Sequence, residues 1–288
     1  MTIKSILVPL SEPRLAKISL QAAIRLAQAF SAHIEALHVR PDSRTIAASY
    51  MGETMSAAMV EEMITNTEKK SADNAVKSRT AFDAVCAAEQ VKYAEKPGRT
   101  EGVTAAWREE AGYEDQVLRI AGRVSDLIVL ARPASDTDVG ARLTLEAALM
   151  DTGRPLVVVP PKSPARIGGN IAIAWNSSAE AARAVGASLP LLVKAKKVTI
   201  LTANEPGTED ADPEALKKSL SWHGINAKVE VVRARGDIGK ALMSAAERVG
   251  ANLLVMGAYS HSRVREMVLG GVTRHVLSDS DIPVFMVH

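Results

Sequence analysis

Aromatic residues make up only 3% of this 288-residue chain, and cysteine occurs once. With so few rings the core must be filled by Ala, Val, Leu and Ile, which a 47% hydrophobic composition supplies. Stacking on aromatic faces is therefore a poor basis for its main business. A single cysteine, Cys86, excludes an internal disulfide and any cysteine-based metal site, and a cytoplasmic home is expected. Lying in an Ala-rich helical stretch, Cys86 reads as a small packed residue rather than a nucleophile. Charge of one sign is missing too: 35 basic and 33 acidic residues leave a formal net charge of +2, well mixed along the chain. Neither nucleic acid nor an acidic membrane is expected as a partner. No window approaches the roughly 20 apolar residues of a membrane span. The opening "MTIKSILVPLSEP" is cut off by Glu12 and Pro13 before a signal-peptide core is complete.

What is present is one unit written twice. "SILVPLSEP" near the N-terminus has its partner in "NIAIAWNSS" from Asn170, each followed by an Ala-rich helical stretch and a second strand. "RVSDLIVLARP" (123–133) pairs with "RVGANLLVMGAY" (248–259), and "RPLVVVP" (154–160) with "IPVFMVH" (282–288). The seam is "PPKSPARIGG", whose prolines and glycines discourage regular structure. The domains expected are 1–160 and 169–288, with a linker at 161–168. In the second half, strands are predicted at 171–175, 197–203, 227–233, 252–257 and 283–287, with helices near 178–194, 213–223, 237–249 and 271–279. Strands alternating with helices require crossovers. The expected fold is therefore α/β, with two tandem doubly wound domains, each a five-stranded, mainly parallel sheet with helices on both faces. The first half carries an extra helical insert, roughly 53–95, expected to pack as one or two surface helices through Met55, Met59 and Met63.

Ligands of doubly wound sheets sit beyond the carboxyl ends of the strands, where strand order reverses. Here that place falls at "IAWNSS" and "VMGAYS". Gly257 follows the apolar run "LLVM", where the chain bends or a ligand approaches the backbone, and Gly270 and Gly271 precede "VTRHVL", which reads as a helix start. Helix N-termini suit phosphate; Thr273 adds a hydroxyl, Arg263 and Arg265 add charge, and Ser260, His261 and Ser262 add donors. The same glycines also serve as plain turn chemistry, and loop arginines are commonly just solvated.

The duplicated unit, and above all "ANLLVMGAYSHSRVREMVLGGVTRHVLSDSDIPVFMVH", resembles the universal stress protein family in its tandem two-domain form. ATP-binding members carry G-x2-G-x9-G followed by Ser, Thr or Asn; the corresponding residues here are Gly257, Ser260, Gly270 and Gly271. Ser260 stands in place of the second glycine and adds a side chain; Gly271 drops a hydroxyl but keeps its N–H. The family's adenine-side aspartate corresponds to Asn176, and the positions lining the base pocket to Ala174, Thr202 and Ala203. The resemblance thus implies ATP or a related adenine nucleotide, accompanied by Mg2+, held by Ala174, Asn176, Thr202, Ala203, Met256, Gly257, Ser260, His261, Ser262, Arg263, Gly270, Gly271, Val272 and Thr273. It also implies a stress-response regulatory role, and internal pairing of the domains through "PLVVVP" and "PVFMVH", with a homodimer beyond that.

The first half departs further: Ala131, Arg142 and Leu143 stand where the second half has Gly257, Gly270 and Gly271, and Ser11 replaces the adenine-side acid. Asp136 and Asp138 put negative charge in its loop, so this half is expected to take no nucleotide. No catalytic set emerges, since there is no Gly-x4-Gly-Lys-Ser/Thr loop and no carboxylate cluster, so at most slow ATP hydrolysis is expected. His33, His38, His223, His261, His275 and His288 form no metal pattern. The alternative to a nucleotide-binding regulator is a ligand-independent, pseudo-dimeric scaffold for protein partners.

Overall fold

The computed structural model describes residues 2–10, 12–42, 56–96, 98, 101–133, 139–161, 166–203, 211–233, 236–258, 276 and 278–288. The chain forms two compact units, Lys4–Thr152 and Met1–Ile3 with Gly153–His288. In the first, β1 (Ser5–Pro9), β2 (His33–Arg40), β3 (Lys92–Tyr93), β4 (Thr104–Ala111) and β5 (Leu127–Ala131) are parallel, in the order β3-β4-β2-β1-β5. Its helices are α1 (Pro13–Gln28), α2 (Ala57–Ala88), α3 (Glu114–Arg123) and α4 (Val139–Met150). Pro13 opens α1 at a position where a missing N–H costs nothing, and Ala16, Leu20, Ala23, Ile24 and Ala27 bury one stripe of it. The start of β1 is tied to β5 by Asp126, whose Oδ2 accepts from Lys4 N at 2.7 Å and Ser5 N at 3.0 Å.

Helix α2 corrects one expectation. It is a single helix, one of the two expected forms, but Met59 is 55% exposed and Met63 only half-buried, and Met55 lies outside the described residues. Among the described residues its buried ones are Ser71, Ser78, Phe82 and Val85, from its middle to its carboxyl end. Small hydroxyl residues bring α2 close to its neighbours there, a pattern that a search for large apolar residues passes over.

The second unit holds β6 (Leu156–Val159), β7 (Asn170–Ala174), β8 (Lys197–Ala203), β9 (Ala227–Val232), β10 (Leu253–Gly257) and β11 (Val284–Val287), in the order β6-β11-β10-β7-β8-β9. Its helices are α5 (Ala179–Leu192), α6 (Pro213–Ser221) and α7 (Ile238–Arg248), each entered through a capping side chain, Ser178, Asp212 and Asp237 respectively. Strands β7 to β11 run parallel; β6, written in the first repeat, adds antiparallel to β11 with Phe285 opposite Val157. From β7 the chain steps outward to β8 and β9, then returns to the far side of β7 as β10 and β11. The two crossovers leave β7 in opposite directions, so strand order reverses between β7 and β10. The first unit reverses in the same way between β1 and β5.

Candidate functional site

The reversal in the second unit brings part of the expected residue set together. Register sets Val255 beside Ile173, so Met256 and Gly257 reach the level of Ala174 and Trp175. On the other side Ala174 lies opposite Leu201, and Trp175 N donates to Leu201 O at 2.8 Å, so Thr202 and Ala203 extend just past the end of β7. Ala174, Asn176, Thr202, Ala203, Met256 and Gly257 thus gather at the carboxyl ends of three adjacent strands. Ser260, His261, Ser262, Arg263, Arg265, Gly270, Gly271, Val272, Thr273 and His275 lie outside the described residues.

Local geometry gives several of these residues definite states. Asn176 is exposed; its Oδ1 accepts from Ser178 N at 3.1 Å, which leaves the Nδ2 donor facing no acceptor among the described residues. Ser177 takes a left-handed φ of 59° to complete this turn, and Ser178 then caps α5, its Oγ accepting from Ala181 N at 3.2 Å. Thr202 and Met256 are buried, whereas Ala174, Ala203 and Gly257 are half-buried.

Gly257 is required by a close approach rather than by its φ, which is not left-handed. A β-carbon there would stand 2.5 Å from Ala181 N and 2.5 Å from the Glu180 carbonyl carbon. The glycine therefore lets the first turn of α5 settle against the end of β10, drawing a helix N-terminus to the crevice. Glu180 brings a carboxylate to the same turn, where Arg183 pairs with it at 2.7 Å. Sequence reasoning passed over Trp175, whose indole Nε1 is buried with no hydrogen-bond partner among the described residues, and over the Glu180–Ala181 contact. The only local signal for that contact was Ser178 ahead of an Ala-rich run.

The first unit carries different side chains at the corresponding positions. Leu10 N donates to Leu37 O at 2.8 Å as Trp175 N does to Leu201 O, so Leu10 matches Trp175 and His38 matches Thr202. His38 is buried, donates from Nδ1 to Leu10 O at 3.0 Å and stacks on Trp107 with centroids 5.7 Å apart. Phe82 of α2 tilts onto Trp107 at 5.7 Å, and the Arg79 guanidinium lies 5.5 Å from the Trp107 centroid. Ala131 has room for its methyl; its N–H donates to the buried Ser19 Oγ at 2.8 Å. Arg142 pairs with Glu146, and Leu143 is exposed; Ser11, Asp136 and Asp138 lie outside the described residues. Among the described residues no group of three or more His, Cys, Asp or Glu side chains is placed to hold a metal ion, and no helix is long and apolar enough to cross a membrane.

Residues 169–288 match the model of the universal stress protein family. The chain is 33% identical over 98 residues to Universal stress protein Slr1230 of Synechocystis sp., a match covering 34% of this chain. The chain therefore spans about a third, 32%, of the length of that relative. In backbone fold it is similar to a universal stress protein from Archaeoglobus fulgidus, with a TM-score of 0.63 at 17% identity, covering 98% of this chain and 97% of the other. A functionally unknown protein from Pseudomonas aeruginosa PAO1 is similar as well, with a TM-score of 0.57 at 14% identity, covering 99% and 92% respectively. The similarity to the universal stress protein family thus lies in residues 169–288, while the fold resemblance extends over nearly the whole chain.

Proposed function

We propose that this protein is a cytoplasmic stress-response regulator whose C-terminal domain binds ATP or a related adenine nucleotide, with Mg2+ accompanying the phosphates. The observation that carries this reading is the crevice at the strand reversal, where the ends of β7, β8 and β10 adjoin and Gly257 admits the N-terminus of α5. In this reading Asn176 offers its Nδ2 to the base, while Ala174, Thr202 and Ala203 line the base pocket. Residues 256–273 supply the phosphate loop, with Gly257 and Gly270 at its ends and Arg263 as counter-charge. The ligand acts as a switch by favouring one conformation of that loop over others. The N-terminal domain takes no nucleotide; in this reading the buried His38, stacked on Trp107, stands where Thr202 lines the base pocket of the second unit. Any hydrolysis is slow.

Calorimetry of the full chain with ATP, ADP and AMP tests this. The expected result is saturable binding at one site per chain, abolished by Gly270→Asp. Absence of heat at millimolar nucleotide overturns the reading, and two sites per chain overturn the role given to His38.

The second reading is a ligand-independent, pseudo-dimeric scaffold for protein partners. That reading prevails if Gly270→Asp leaves stress resistance intact while disruption of the β6–β11 pairing destroys it.

A further inference from the structure

The outer edge of the second unit carries features that the nucleotide reading does not use. Strand β9 ends the sheet, so one row of its backbone N–H and C=O groups has no partner strand among the described residues. Between α6 and the turn into β9 lies an open groove of about 410 Å³, lined by residues that include Glu214, Lys217, Lys218, Ser221 and Asn226. Trp222, which closes α6, is 85% exposed, and Val231 near the end of β9 is 56% exposed. The charges are unbalanced. Lys217 is paired with Glu214 at 3.1 Å, and Glu230 is held by Arg248. Lys218 and Lys228 remain, both exposed and without an ion pair among the described residues. The groove and strand edge therefore carry surplus positive charge, with exposed apolar side chains at Trp222 and Val231.

We propose that this edge docks an extended acidic peptide segment of a partner protein. The segment adds to β9 as a further strand, so that main-chain hydrogen bonds supply affinity. Its carboxylates face Lys218 and Lys228, and its alternate apolar side chains cover Val231 and Trp222. A second copy of the chain is the poorer occupant, because it would bring the same lysine surplus to the edge. The surface lies away from the crevice of β7 and β10, and the inference stands independently of nucleotide binding.

The test is fluorescence anisotropy of the full chain with two labelled hexapeptides, one alternating Glu and Val, the other Lys and Val. The acidic peptide is expected to bind saturably and the basic one not to bind, with affinity falling as salt is added. Combined Lys218→Glu and Lys228→Glu should weaken binding by about tenfold. Val231→Asp, at an exposed position, should weaken it too while leaving the thermal midpoint unchanged. Equal binding of the two peptides, binding of neither, or an affinity indifferent to the lysine changes would overturn the proposal and leave Lys228 as a guard against strand-edge aggregation. A concentration-dependent dimer abolished by Val231→Asp would overturn it in favour of a second copy.

Discussion

The backbone nitrogen of Ala181 stands 2.5 Å from the point that a β-carbon on Gly257 would occupy. Both partners at that contact are main chain, which has no rotamer with which to move aside. A methyl at 257 must therefore push α5 away from β10, loosening the crevice at its floor.

Gly257→Ala is expected to cost about 1–3 kcal/mol of stability through this overpacking. Thermal unfolding reads it as a fall in midpoint of about 2–4 °C for each kcal/mol. Ala131→Gly, at the matching strand end of the first unit, relieves no clash and should cost about 1 kcal/mol. An unchanged midpoint in Gly257→Ala would mean that α5 does not press on β10.

Phe82 is 1% exposed and joins α2 to the sheet through Trp107. Phe82→Ala should cost about 3–5 kcal/mol, the usual range for removing a buried ring. Met59→Ala, on the same helix but exposed, should stay within about 0.5 kcal/mol. Urea denaturation of the two variants separates these values, and equal losses would return the packing role to the methionines.

Burial lowers the pKa of His33 below 6.5, and the nearby Glu35 only partly offsets it. The unfolded chain then binds more protons than the folded one in the window just below pH 6.5, so stability rises with pH there. The contribution of neutral His33 is present above that window and is lost as pH falls through it. Nδ1 of His33 also lies 2.9 Å from Thr104 Oγ1. His33→Asn should flatten the dependence of unfolding free energy on pH in this interval; an unaltered slope would assign it to other groups.

The Cys86 thiol is pushed up to about 11, chiefly by burial, with Asp83 adding to the rise and Arg79 opposing it. Thiolate is the reactive form, so alkylation by iodoacetamide at pH 8 should be about a hundredfold slower in the folded protein than in urea. Equal rates in the two states would show the thiol to be open.

The crevice was legible in outline. Apolar runs such as "NLLVMG" and "SDLIVLA" mark buried strands because both faces of an inner strand need apolar side chains, and Pro213 and Pro13 mark helix starts by local chemistry alone. The side chains that decide what each crevice holds were not legible in the same way. His38 meets Leu10 and Trp107, and Asn176 turns its oxygen to Ser178, through contacts set by packing and by turn geometry.

From the sequence alone come the expectation of a repeated unit, the alternation of strands and helices, and the contrast of Ala131 with Gly257, since each is written in local pattern or in comparison of one half with the other. Tertiary structure decided that Gly257 serves an approaching helix, that His38 stacks on Trp107 in the first unit, and that β6 joins the sheet of the second unit. The physical reason is one of range: periodicity and turn chemistry act over a few residues, whereas close approach, stacking and strand pairing join residues far apart in the chain and exist only once it has folded.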